Sequence, residues 1–229
     1  MPDPFLPGNP PIPLILRRSA QAKRISLRIS QLDGRVTLTL PKRLKEAEGI
    51  AFAREKEEWI RKHLEARGAD IPIGIGAEFP LGGRMVQVVQ GQGRRVQLGD
   101  DTIAVPGRED RVPVRLAAHL KELARDRLAG ACDDYAAVLG RPYNKLTLRD
   151  TRSRWGSCTS DGGLMFSWRL ILTPPEVLDY VAAHEVAHLA QMNHSPAFWA
   201  EVERIYGPYK DARGWLRQNG SDLHRYRFN

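Results

Sequence analysis

Cysteine is scarce in this 229-residue chain, which has only Cys132 and Cys158. Two thiols cannot build a disulfide framework or a four-cysteine zinc site. Long apolar runs are missing too, and none approaches the roughly 18–20 residues that a membrane helix needs. The opening stretch, MPDPFLPGNPPIPLILRR, has no basic start, no unbroken apolar core and no small-residue cleavage site, so it does not read as a secretory signal. These absences make the cytoplasm the expected compartment and exclude a membrane partner. Acidic residues are the minority charge, 27 against 35 Lys and Arg, for a net charge of +8. Residues 1–70 hold 14 basic against 9 acidic residues, residues 71–150 hold 12 against 10, and residues 151–229 hold 9 against 8. The surplus is thus mainly N-terminal, and a modest excess of this kind reads as a solvated surface before it reads as a nucleic-acid footprint.

Patterning predicts an α+β protein. Residues 1–16, with six prolines, read as a flexible extended arm. Arg24–Ile29 and Arg35–Leu40 alternate as strands around Gln31-Leu32-Asp33-Gly34, a hairpin signal. Leu44–Ala66 reads as a helix with Ile50, Phe52, Trp59, Ile60 and Leu64 on its buried stripe. Met85–Val89, Arg94–Leu98 and Thr102–Val105 suggest a small antiparallel meander. Val112–Leu139 is a long helix closed by Gly140, followed by strands Lys145–Arg149 and Leu164–Leu172. Helices over about Pro174–Met192, Pro196–Ile205 and Pro208–Asn219 end the chain. The expected division is an arm (1–16), a β-rich N-terminal part with a helix (17–108) and a catalytic part (109–229).

The chemistry concentrates at His184-Glu185-Val186-Ala187-His188. Thr173-Pro174-Pro175-Glu176 has the form of a capping box with proline at the first helical position, so a helix begins there. Residues four apart share one helix face, and both imidazoles can therefore meet one metal ion. Glu185 lies about 100° around the axis from His184, within reach of a water on that ion without being forced to ligate it. Leu178, Val181, Ala182, Val186 and Leu189 surround this stripe with apolar side chains, and a charged glutamate among them is costly unless it is used. His194 precedes Ser195-Pro196, which reads as the N-cap and first position of the next helix. The turn this requires can swing His194 over the metal. Glu201, Glu203 and His224 are weaker third ligands by position. Three protein ligands with one open position is the catalytic arrangement of zinc.

The spacing equals that of the metzincin proteases, yet that assignment fails twice. Gln191 stands where metzincins have glycine, and no methionine follows the third histidine to form their Met-turn. From about Arg17 to Leu216 the chain instead resembles the YgjP-like metallopeptidase family. Arg152-Ser153-Arg154-Trp155-Gly156-Ser157-Cys158, the segment Leu164–Pro175, His184–Leu189 with Asn193-His194-Ser195-Pro196 and Phe198-Trp199, and the hairpin with Glu57-Glu58-Trp59-Ile60 carry the resemblance. It implies a zincin-like catalytic part, with a small sheet and the HExxH helix, related to SprT-like domains. It also implies zinc on His184, His188 and His194, with Glu185 as catalytic base.

The expected activity is therefore zinc-dependent hydrolysis of a peptide or protein substrate, with Glu185 taking a proton from water and passing it to the leaving amine. Leu164–Arg169 either pairs with the substrate backbone or is an ordinary core strand, which places Leu164 and Phe166 among the candidate substrate-binding residues. Arg152, Arg154 and Trp155 either line the cleft or, for Trp155, belong to the core with the arginines on helix C-termini. Tyr206 and Tyr209 are candidate oxyanion donors. Cys158 reads as a small buried residue, since a zinc–glutamate site needs no nucleophile. Two alternatives stay open: a DNA-associated SprT-like protease, which no DNA-binding motif here supports, and a non-catalytic zinc protein, which has no use for Glu185.

Overall fold

The computed structural model of the chain describes residues 4–30, 34–66 and 68–229. It divides into two compact units, Met1–Asp70 and Ile71–Asn229. In the first unit, strands β1 (Phe5–Leu6), β2 (Ile12–Ser19), β3 (Ser26–Ile29) and β4 (Val36–Pro41) form a sheet of order β1-β2-β4-β3. The expected flexible arm is instead two strands of this sheet. Ile12, Leu14 and Leu16 alternate inward at the two-residue period of a strand, and Leu6, Ile12 and Leu14 are buried. Arg61 also holds this segment, donating to the Pro7 and Pro10 carbonyls while paired with Glu57. The β3–β4 pairing is antiparallel with Ile29 opposite Val36, as the hairpin pattern predicts, but Gln31, Leu32 and Asp33 of its turn lie outside the described residues.

The single helix expected over Leu44–Ala66 is broken at Lys56 into α1 (Glu46–Glu55) and α2 (Glu57–Ala66). Gly49, Ala53 and Ile60 supply its fully buried positions. Trp59, expected inside, is 44% exposed and lies against His63.

The second unit begins with β5 (Ile71–Pro72) and a sheet of β6 (Glu78–Leu81), β7 (Arg84–Gly91), β8 (Gln97–Leu98) and β9 (Thr102–Pro106). Its order is β6-β7-β9-β8, and β7 pairs with β9 in parallel, so it is not a meander. β8 lies on the far side of β9, at the edge of the sheet, and is only two residues long. The domain boundary expected near residue 108 falls inside this unit. Phe79, Val86, Val88, Ile103 and Val105 share one core with α3 (Val112–Leu139) and everything after it. Gly140 closes α3 in the left-handed conformation (φ 75°), the cap that glycine adopts at least cost.

β10 (Lys145–Arg149), β11 (Gly156–Cys158) and β12 (Gly163–Ser167) form a three-stranded sheet of order β10-β12-β11. β12 is central, parallel to β10 and antiparallel to β11. The strand expected to run to Leu172 stops at Ser167 and tightens into a 3₁₀ turn, Trp168–Leu172. Directly opposed residues share a face. Leu146, Leu148, Leu164 and Phe166 therefore face the core, while Lys145, Thr147, Arg149, Ser157 and Met165 occupy the opposite face.

Helices α4 (Pro175–Ala187), α5 (Pro196–Tyr206) and α6 (Lys210–Asn219) follow. The last strand, β13 (Tyr226–Arg227), pairs with β5. Among the described residues no helix is long and apolar enough to cross a membrane.

Candidate metal centre

The start of α4 departs from a capping box. Pro174 is the N-cap and Pro175 the first helical residue, and the Thr173 hydroxyl is taken by the Leu170 carbonyl at 2.7 Å. The helix also ends five residues earlier than the pattern suggests. It stops at Ala187 with His188 as its C-cap, where the Gln191 amide bonds back to the Ala187 carbonyl. The early stop lets the chain turn through Gln191–His194. Ser195 then caps α5 by accepting from the Phe198 amide, as expected, with Pro196 at the first helical position.

This turn brings the third histidine home. One ligand atom from each of His184, His188 and His194 lies within 4.8 Å of the others. The Nε2 atoms of His184 and His194 face each other at 3.1 Å, close to the ~3.3 Å edge of a tetrahedron with metal–nitrogen bonds of about 2.0–2.1 Å. His188 Nδ1 lies 2.9 Å from the Gln191 carbonyl. That bond keeps the proton on Nδ1 and leaves the Nε2 lone pair free, the ring orientation a ligand needs. Phe198, wholly buried, packs its ring behind all three imidazoles at centroid distances of 4.4–4.9 Å.

Electrostatics favour ligation as well. Burial, reinforced by the neighbouring His188 and His194, pushes His184 down to about 3, and burial lowers His188 also. Both imidazoles are therefore neutral at ordinary pH, the only form that binds a metal. The buried His184 Nδ1 has no hydrogen-bond partner among the described residues. The donor set fits a borderline-soft divalent ion: three nitrogens, no thiolate, and room for a further ligand on the exposed His194 side.

Glu185 stands apart from this set. It is only 6% exposed, and burial pushes its carboxyl up to about 8, with Arg154 pulling in the other direction. A cation held by the histidines acts in the same sense as Arg154. The carboxylate lies against β11, where a Cβ added to Gly156 would come 2.5 Å from Oε1. Gly156 was not singled out from the sequence as a site residue. Only a glycine leaves room there for the carboxylate, and a contact between residues so far apart in the chain has no local signature.

The remaining candidates separate. Leu164 and Phe166 turn their side chains into the core and are 1% and 0% exposed on the central strand. With β12 flanked on both sides, it has no edge to offer a peptide, and of the two readings of this segment the core strand is the one the topology fits. Trp155 packs its ring on Gly220 and on His224, 5.3 Å away, as a support for the C-terminal turn. Arg154 is exposed beside Glu185. Arg169 is buried, donates to Asp150 at 2.7 and 3.1 Å and to the carbonyls of Leu223 and Tyr226, and so ties Asp150, where the loop after β10 begins, to the C-terminal turn.

Tyr206 spends its hydroxyl on the Glu176 carbonyl, whereas Tyr209 stacks on Trp199 at 4.9 Å in the aromatic wall beside His184. Arg213 lies over the same Trp199 ring at 4.6 Å. Cys158 is half-buried, and burial together with the charge of Glu185 pushes its thiol up to about 11, so it is no nucleophile.

Compared with known protein families, residues 23–219 match the YgjP-like, metallopeptidase domain. The chain belongs to this family of metallopeptidases. The match begins after β2, so the strands that precede it lie outside the shared region. No curated protein matches the chain. Among solved structures, the crystal structure of the metallopeptidase zymogen of Pyrococcus abyssi abylysin aligns at 20% identity and a TM-score of 0.37, over 43% of this chain and 97% of that one.

Proposed function

We propose that this chain is a zinc-dependent peptidase in which His184, His188 and His194 hold the metal and Glu185 is the general base. The observation that carries the reading is the pairing of a three-imidazole cluster with a buried carboxylate that is not part of it. Zinc held there supplies a Lewis acid that polarises a carbonyl and lowers the pKa of water.

The chain's own residues do the rest. Glu185, desolvated between α4 and β11, has a carboxyl poised near working pH, the optimum for taking a proton from water and returning it to the leaving amine. Gly156 keeps the carboxylate where it is, and Gln191 holds the His188 ring. β11 is one of the two edge strands of its sheet. The Ser167 amide bonds to the Trp155 carbonyl and the Thr159 amide to that of Gly163. Antiparallel pairs alternate between bonded and non-bonded, so Gly156 and Cys158 turn their backbone groups to the open edge. A substrate strand can add there. Of the two tyrosines after the third histidine, Tyr206 is bonded to the Glu176 carbonyl while Tyr209 has no hydroxyl partner among the described residues, which makes Tyr209 the candidate for a developing oxyanion.

The test is cleavage of denatured casein by zinc-loaded wild type beside Glu185→Gln, with products read by mass spectrometry and metal content measured on both. The expected result is equal zinc and a loss of cleavage of about 10³-fold or more in the variant. Equal cleavage by both proteins rules Glu185 out as the base.

A further inference from the structure

The solvent face of the β10-β12-β11 sheet is hollowed into a groove of about 470 Å³. Lys145, Arg149, Arg152 and Arg154 line it together with hydroxyls such as Thr147. Lys145, Arg149 and Arg154 are exposed and make no ion pair within 4 Å among the described residues. Asp161 is the one carboxylate on the lining; it is engaged by the Thr159 hydroxyl and a backbone amide and feels the charge of Lys145, so beyond that pair three cations leave the lining positive.

The groove and the site meet on β11. Ser157 lies in the groove while its neighbour Gly156 lies against Glu185, and Arg154 belongs both to the groove and to the surroundings of Glu185. A second exposed cation, Arg213, lies over Trp199 on the histidine side.

We infer that the groove binds an acidic segment of the substrate polypeptide and so directs cleavage to sites beside Asp- or Glu-rich sequence. The inference rests on the peptidase reading of the site and names its substrate class. Clustered cations among hydroxyls are the donor chemistry that carboxylates select. The positive charge is local: residues 145–229 as a whole hold 11 basic against 9 acidic residues. Nucleic acid calls for a longer basic stripe along its backbone, whereas this cavity is of the size that takes a small ligand or a few residues.

The test measures binding by fluorescence anisotropy with full-length, zinc-loaded protein, so that it does not depend on turnover. The probes are a labelled peptide carrying four glutamates beside an apolar stretch, the same peptide with four glutamines, and a single-stranded DNA 12-mer. The glutamate peptide is expected to bind about tenfold more tightly than the glutamine peptide at low salt, and the margin to shrink as salt rises. Lys145→Ala combined with Arg149→Ala is expected to abolish that margin without changing glutamine-peptide binding or the melting temperature. Arg94→Ala with Arg95→Ala, a basic pair outside the groove, is expected to preserve it. Equal binding of the two peptides, binding of neither, or a margin untouched by the Lys145/Arg149 variant overturns the inference. So does tighter, groove-dependent binding of the DNA. The predicted binding pattern without cleavage of any substrate sinks the peptidase reading and leaves the groove assignment standing.

Discussion

His184, His188 and His194 come from one stretch of chain, whereas the surface that holds Glu185 is assembled from β11 and from segments tied together across the second unit. The histidine side needs only a helix, its early stop at Ala187 and the Ser195 cap. The Glu185 side needs Gly156 on an edge strand, and that strand is reached through the loop that Asp150 and Arg169 fasten to the C-terminal turn. One side is therefore a local property of sequence spacing and the other a tertiary one. Substitutions that act through folding should damage the second side before the first.

Arg169→Ala breaks the buried tie outright and is expected to cost about 3 kcal/mol, the lower end for a buried pair because Asp150 is half-exposed. Chemical denaturation measures this. A loss below about 1 kcal/mol would mean that the loop is held by something other than Arg169. Gly156→Ala should lower kcat/KM about 100-fold, as displacement of a catalytic group by roughly 1 Å does. Zinc content should stay at wild-type level, because the change touches the carboxylate and not the imidazoles. Loss of zinc in that variant would erase the distinction between the two sides.

A pH effect probes the same C-terminal tie. His224, packed on Trp155, is pushed down to about 4 by burial, with Arg169 adding to the effect. Between its ordinary value near 6.5 and about 4, the unfolded chain binds a proton that the folded protein refuses. Stability is thus full above that window and falls as pH drops through it, by on the order of 2 kcal/mol. Thermal melts of His224→Gln should show a shallower fall over the same range, and an unchanged slope would count against His224. The smallest effect is expected on the histidine side. Phe198→Leu loosens the backing of the three rings and should weaken zinc binding about tenfold while leaving the kcat of the fully loaded enzyme near normal. Competition against a chelator reads the affinity, and no change would show that the rings need no such support.

The contrast also explains what could be read from the sequence. The histidine cluster was legible because a four-residue spacing on a helix is geometry, and the serine–proline cap fixed where the chain must turn at His194. Gly156, Arg169 and the Gln191 carbonyl were not, since each acts across elements or through the backbone. The α+β class and most elements followed from periodicity, but strand order did not. β12 reads as a candidate substrate-binding strand and is in fact central. Residues 1–16 read as an arm because prolines mask the alternation of Ile12, Leu14 and Leu16. Counting charge by thirds likewise concealed the groove, because basic side chains from β10 and the loop before β11 gather on one face while Asp150, the one acid of those segments, is taken by Arg169.

The most direct test of the central claim is the zinc-to-protein ratio, by inductively coupled plasma mass spectrometry, of wild type and of His184→Ala, His188→Ala and His194→Ala after dialysis against limiting zinc. About one equivalent is expected for wild type and near none for each variant, since a three-ligand site does not survive on two. A full equivalent retained by His194→Ala, or by any of the three, would contradict that claim.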